Sequence, residues 1–253
     1  LEQSFSIFPL GDSAITIDLG NHIDEQLNRK ALALLDRVQA LGLPGVKDII
    51  VAYSSVTVLY DPVSVIQGGP VGTTCREGAF GYMKKRLEGA WQKVASGPDG
   101  VGEKNGDPLR ESSGNGHVTR IPVCYEGEYG PDLDLFIREK GLPREDIIRL
   151  HTSPAYLVYM IGFLPGFPYL GKVDPGLEMH RKERPVPVSA GGVGIAGNQT
   201  GIYPLNSPGG WQIIGRTPLK LFDPYSATPV RLKIGDRVQF FSVTKQEFQD
   251  YVR

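Results

Sequence analysis

Apolar and polar residues alternate with period two at the start of the chain: Phe5 and Ile7 precede a turn at Pro9–Asp12, and Ile15, Ile17 and Leu19 follow it. That spacing predicts two paired strands. Ile23, Leu27, Leu34, Leu35, Val38 and Leu41 then recur at helical spacing until Gly42-Leu43-Pro44-Gly45 stops the helix. Lys47–Tyr53 and Val56–Tyr60, rich in β-branched and aromatic residues, read as two more strands, halted at Asp61-Pro62. Phe80, Met83, Leu87, Trp91 and Val94 form a second amphipathic face. Two helices on one face of an antiparallel sheet make an α+β sandwich of ferredoxin-like type.

The pattern breaks between Ser96 and Gly116, where Gly, Pro, Asp, Asn and Ser leave almost no large apolar side chain. Such a stretch buries too little surface to offset its ordering entropy, and it reads as a flexible linker, the alternative being a long surface loop within one domain. The expected organisation is an α+β domain over 1–96, a linker over 97–116 and a mainly-β domain over 117–253. In the last part Val118–Cys124 reads as a strand, and Leu133–Lys140 and Arg144–His151 as short helices, the second led by Pro143. Spacing does not decide whether Leu157–Ile161 is a strand or a helix end. Val186–Val188, Val193–Ile195, Ile202–Tyr203, Gln212–Ile214, Val230–Leu232 and Val238–Phe241 follow as short β segments separated by Gly or Pro, which suggests a closed or nearly closed barrel.

Composition narrows the function classes. With 40% apolar and 22% charged residues the chain is an ordinary globular one. No apolar run is long enough to span a bilayer, and the opening residues lack a secretory pattern. Twenty-seven basic residues against twenty-eight acidic ones, without a block of either sign, exclude a nucleic-acid footprint. Two distant cysteines, Cys75 and Cys124, make neither a disulfide framework nor a thiolate metal site and suit the cytoplasm.

Thirty-two glycines and twenty prolines are the unusual numbers. They are densest in Ser189–Pro218, where glycines permit positive φ or close approach of the backbone to a ligand. Gly191-Gly192-Val193-Gly194 lacks the strand-to-helix setting of a dinucleotide fingerprint, and no phosphate-binding GxxxxGK[ST] occurs. Asn198, Gln199, Thr200, Tyr203, Asn206, Ser207, Gln212 and Arg216 lie at or near turns, where they either face a cleft or satisfy turn backbone. Ile161–Leu170 packs three aromatics and two prolines into ten residues, either as core or as a docking surface. His151 ends a helix, where it complements the helix terminus or supplies an acid–base group. The four histidines lack metal-ligand spacing. His180-Arg181-Lys182-Glu183-Arg184 reads either as a solvated mixed-charge loop or as one whose basic members meet an anionic partner or phosphate.

The segments HTSPAYLVYMIGFLPGFPYLG and AGGVGIAGNQTGIYPLNSPGGWQIIGRTPLKLFDP, with FPLGDSAITIDLG and SSVTVLYDP before them, resemble the family of 5-oxoprolinase B subunits. That family is also named allophanate hydrolase subunit 1 and includes Kip-type inhibitors of sporulation histidine kinases. The resemblance implies a cyclophilin-like barrel after the linker. It also implies a protein that works with the 5-oxoprolinase subunits C and A: the C subunit helps it to activate a lactam with ATP, and the A subunit opens the ring to glutamate. On that basis His151, Asn198 and Gln199 are the catalytic candidates. Tyr203, Trp211 and Arg216 are the substrate-binding ones, with Arg216 either gripping a carboxylate or pairing with Asp223. As a Kip-type inhibitor the chain would instead dock on a sensor histidine kinase through Phe163, Pro165, Phe167, Pro168 and Tyr169, whereas a role in allophanate or urea metabolism would change the substrate and not the class. No metal is expected.

Overall fold

The computed structural model describes residues 5–20, 22–69, 73–96 and 118–252, with side chains from 78 onward in the third segment. The expected linker, 97–116, lies outside the described residues. The chain divides into two compact units, Leu1–Asp107 and Pro108–Arg253.

The first unit contains β1 (Ser6–Pro9), β2 (Ala14–Asp18), α1 (Glu25–Ala40), β3 (Val46–Val51), β4 (Ser55–Tyr60), α2 (Pro62–Gly68) and α3 (Thr73–Ala95). The strands form one antiparallel sheet in the order β1-β2-β4-β3. Ile15 faces Val58 and Ile17 faces Val56 on its buried side, against which α1 and α3 lie. α1 starts at Asp24, whose carboxylate accepts the Gln26 and Leu27 amides. The α+β sandwich is therefore present, but the described chain runs ββαββαα, an order that differs from the βαββαβ of a ferredoxin-like unit. The sequence reading also missed α2. Asp61-Pro62 ends β4 and at once starts a helix, with Asp61 accepting the Val63 amide and Pro62 in the first turn.

In the second unit seven strands form a sheet in the order β12-β9-β10-β7-β6-β13-β5. They are β5 (Val118–Val123), β6 (Tyr156–Ile161), β7 (Pro168–Gly171), β9 (Gly192–Ala196), β10 (Gln199–Ile202), β12 (Gln212–Arg216) and β13 (Arg237–Ser242). A two-stranded ribbon, β8 (Val186–Val188) with β11 (Ser207–Gly209), stands apart from that sheet. Leu157–Ile161, undecided from spacing, is strand, while Val230–Leu232 contributes only a bridge from Val230 to Phe222. Alternate residues point inward: Ile121, Val123, Tyr156, Val158, Leu170, Val193, Ile195, Ile202, Ile214, Val238 and Phe240 form one core. Leu133 and Phe136 of α4 (Leu133–Lys140) and Ile147 of α5 (Arg144–Thr152) join it. A last helix, α6 (Lys245–Val252), packs Phe248 on Tyr129 and was not expected.

The two edge strands meet. Cys124 and Arg216 exchange both backbone hydrogen bonds at 2.9 Å, so the sheet curls into a nearly closed barrel. Beyond the bridge, Asp132 continues the contact: its amide donates to the Ile213 carbonyl, and its carboxylate accepts the Ile213 amide at 2.6 Å. Close approach needs glycine at Gly130 and Gly215. A Cβ on Gly130 would stand 2.3 Å from the Ile214 oxygen, and one on Gly215 2.5 Å from Val123 Cγ1. Gly130→Ala should therefore destabilise the second unit by roughly 2–3 kcal/mol, because backbone itself must move. Gly89→Ala, in open space on α3, should be neutral or slightly stabilising. Denaturant melts of the two variants check the contrast.

Candidate functional site

The glycine-dense segment builds a second layer of packing on the outside of the barrel. Phe167, Val188, Ala196, Tyr203, Trp211 and Ile213 form a separate apolar cluster, with Leu164 and Tyr169 against it. Phe167 stands edge-on to Tyr203 and to Trp211, at 5.1 and 5.4 Å between ring centroids. The strands beneath are stripped of side chains to admit these rings. A Cβ on Gly201 would lie 2.9 Å from Phe167 Cζ, one on Gly194 3.0 Å from Trp211 Cβ, and one on Gly209 2.4 Å from the Tyr203 hydroxyl oxygen. These glycines accommodate the chain's own aromatics rather than a ligand. Phe167, Tyr203 and Trp211 are consequently enclosed, and Phe167 is withdrawn as a docking residue by its burial. Phe163 remains outside, with 64% of its surface exposed.

The turn at Ser189–Gly192 is equally self-satisfied. The Ala190 amide donates to Asn206 Oδ1, the Gly191 amide to the Tyr203 carbonyl, and the Gly192 amide to the Ser189 carbonyl. Arg216 Nε donates to the Ala190 carbonyl at 2.8 Å. Asp223, the carboxylate weighed as its partner, pairs instead with Lys220. With these amides spent, the turn offers no nest for a phosphate.

His151 is inside the barrel and fully buried. Nδ1 is 2.7 Å from the Tyr125 hydroxyl and Nε2 2.9 Å from Thr200 Oγ1. Thr200 spends its one proton on the Gly194 carbonyl at 3.0 Å. Nε2 must then carry the imidazole proton and Nδ1 must accept from Tyr125, which fixes the tautomer. The ring stacks on Phe240 at 4.6 Å, and the Tyr156 hydroxyl donates to the His151 carbonyl. Burial holds the imidazole neutral, its pKa lowered from 6.5 to about 3, and pushes the Tyr125 and Tyr156 phenols up. A neutral ring cannot complement a helix terminus by charge, so that reading is corrected. Thr200 likewise faces the core rather than a cleft.

The candidates do not converge. Asn198 sits in the turn between β9 and β10, and Gln199 begins β10 opposite Gly171. Tyr203 follows the far end of β10, four residues from Gln199 or roughly 13 Å of strand. Arg216 pairs with Gly192 at that far end, and His151 lies in the interior. The basic run also departs from its solvated reading. Lys182 is a partly buried ion-pair partner of Asp132, and its ammonium also donates to the Trp211 carbonyl at 2.9 Å. Arg181 lies 5.9 Å over the Trp211 ring.

The family described as carboxyltransferase domain, subdomain C and D, matches residues 5–232. A 5-oxoprolinase B subunit from Bacillus subtilis is 38% identical over 98% of this chain and 96% of its own length. The chain belongs to this family. The solved protein TTHA0988 is 35% identical with a TM-score of 0.69 over 91% of this chain, which spans only 40% of that longer polypeptide. The urea amidolyase of K. lactis shares the fold, with a TM-score of 0.71 at 18% identity, over 99% of this chain and 16% of its own.

Within this carboxyltransferase subdomain, sequence reasoning missed Tyr125 and Asp132, and it singled out Arg181 and Lys182 only as members of a basic run. Among the described residues no group of His, Cys, Asp and Glu is placed to hold a metal ion, and no helix is long and apolar enough to cross a membrane.

The His151 network carries a pH dependence whose sign is fixed. As pH falls below 6.5 the unfolded chain takes up a proton that the folded one refuses until about pH 3. Stability is lost across that window, by up to about 5 kcal/mol at its acid end. His151→Gln should be less stable than the native chain at pH 7.5, by roughly 2–4 kcal/mol. That gap should narrow steadily toward pH 4 in chemical denaturation, because the variant has no imidazole to protonate.

Proposed function

We propose that the chain is the B subunit of an ATP-dependent 5-oxoprolinase, a cyclophilin-like barrel that forms a lactam-activating site only together with the C subunit, while the A subunit opens the ring. The observation that carries this reading is the near end-to-end match to a protein of that name, over 96% of its length. The dispersed candidate residues support a shared site. His151, Asn198 and Gln199 lie in the interior and at one end of the barrel, and no nucleophile–base pair joins them. ATP does not fit the Ser189–Gly192 turn, whose amides are spent internally, so nucleotide binding is assigned to the partner chain.

What this chain brings is a rigid wall and a cation. Tyr203 and Trp211 back the outer layer, and Arg181 rests on it, stacked over Trp211. A guanidinium held against a ring presents two parallel donors, the match for a small carboxylate. Arg216 is reassigned from substrate grip to turn anchor, since its Nε is committed to Ala190.

The isolated chain should show no 5-oxoprolinase turnover, and adding the C and A subunits should produce ATP-dependent glutamate. Turnover by the chain alone would sink the shared site. In the reconstituted enzyme, Arg181→Gln should raise KM for 5-oxoproline about tenfold or more, the loss of one charged hydrogen bond. Arg216→Lys should leave KM near native and lower the melting point, costing roughly 1–2 kcal/mol. A reversed pattern would return the substrate role to Arg216.

A further inference from the structure

Two loops of the second unit hold aromatic side chains outward. In the first, Phe163 has φ of 67°, the one positive value at a non-glycine position among the described residues. That conformation is costly for an aromatic residue, so it persists only because its surroundings impose it. They do: the Gly162 amide donates to the Phe167 carbonyl, the Leu164 amide to Gly162, and the Phe167 amide to Leu164. The exposed ring is braced edge-on against Phe167 and Tyr203, at 5.8 and 6.5 Å. In the second loop, Tyr225 is 96% exposed at the tip of an arm closed by the Phe222–Val230 bridge. The arm is stiffened by the Asp223 carboxylate, which accepts the Tyr225 amide at 3.1 Å, and by the Ser226 hydroxyl, which accepts that of Thr228. The loops meet at their bases, where a Cβ on Gly166 would lie 3.1 Å from Phe222 Cβ.

Resting on the function proposed above, the geometry points to the Phe163–Pro165 loop and the Tyr225 arm as the face that docks the partner chain, the C subunit. The braced Phe163 ring and the pre-ordered backbone of the Tyr225 arm lower the entropy cost of burying the two aromatics, which is the character of interface anchors. The occupant follows from the longer relative: this chain spans 40% of TTHA0988, so further polypeptide accompanies the same unit there in one chain. Charge refines its chemistry. Lys220, Arg231 and Lys233 flank the arm against Asp223 and Asp236; Lys220 is paired with Asp223, and the Asp236 carboxylate accepts the Lys233 amide. The excess is one positive charge, so the partner surface is chiefly an apolar pocket, with an acidic group at its rim.

Purified C subunit titrated with this chain by calorimetry tests the assignment. The native chain should bind, and a Phe163→Gly, Tyr225→Ser double variant should bind at least tenfold more weakly with a near-native melting point. Glycine suits the φ at 163, and Tyr225 is exposed, so folding is expected to survive. Phe8→Ser with Ile50→Ser, two exposed positions on the first unit's sheet, should bind as the native chain does. Equal binding by the native chain and the double variant would overturn the face while leaving the proposed function intact, as would loss confined to the Phe8 and Ile50 variant. Failure of the native chain to bind the C subunit would overturn the function itself. Self-association of the native chain, abolished by the double variant, would reassign the face to a second copy.

Discussion

Closure of the barrel depends on one pair of backbone hydrogen bonds, between Cys124 and Arg216, where the two edge strands of the seven-stranded sheet meet. Open edges would leave β5 and β12 with unpaired amides and carbonyls. Closing them requires two backbones to pass closer than side chains allow, hence Gly215 on one side and Gly130 on the other. The bridge is short, so Asp132 extends it by acting as a strand would: it gives an amide, and its carboxylate takes one in return. Lys182 then neutralises that carboxylate, which ties the segment after Met179 to the same seam.

A sealed interior explains the state of His151. Fully buried, the imidazole remains only as a neutral group with both nitrogens bonded, which Tyr125 and Thr200 supply. Thr200 in turn is pinned to Gly194, across the hairpin from its own strand. The opposite face of that hairpin carries the outer aromatics on Gly194 and Gly201. One strand pair thus serves two layers, polar anchoring inside and ring packing outside. Glycine is the residue that lets a two-sided sheet be thin on the outside without losing register.

Much of this was legible because it is local. Period-two spacing located β1, β2, β5, β8, β9, β12 and β13; helical spacing located α1, stopped at Gly42–Gly45, and α5, led by Pro143. What failed was either ambiguous locally or made by distance. Tyr156–Ile161 is buried on both faces for most of its length, which erases alternation. α2 was hidden because Asp61-Pro62 serves as both a stop and a start. The partners of His151 lie 26 and 49 residues away in sequence, and Lys182 finds Asp132 at a separation of 50. No spacing rule reaches that far. Aromatics in Ile161–Leu170 were read as core or surface, and they are both: Phe167 is sealed and Phe163 is out.

That division bears on where chemistry can happen. Most of the polar groups that drew attention as site candidates are engaged by the fold: Asn206 and Arg216 on Ala190, Thr200 on Gly194, and Gln212 Nε2 on the His180 carbonyl. A group held in this way positions backbone and has little left to offer a substrate. The features that face outward are of another kind: a guanidinium stacked on Trp211, a strained phenylalanine and a fully exposed tyrosine. These are groups suited to recognition. A barrel that spends its acid–base and amide groups on closing itself leaves its exposed aromatics and Arg181 as the groups free to make contact.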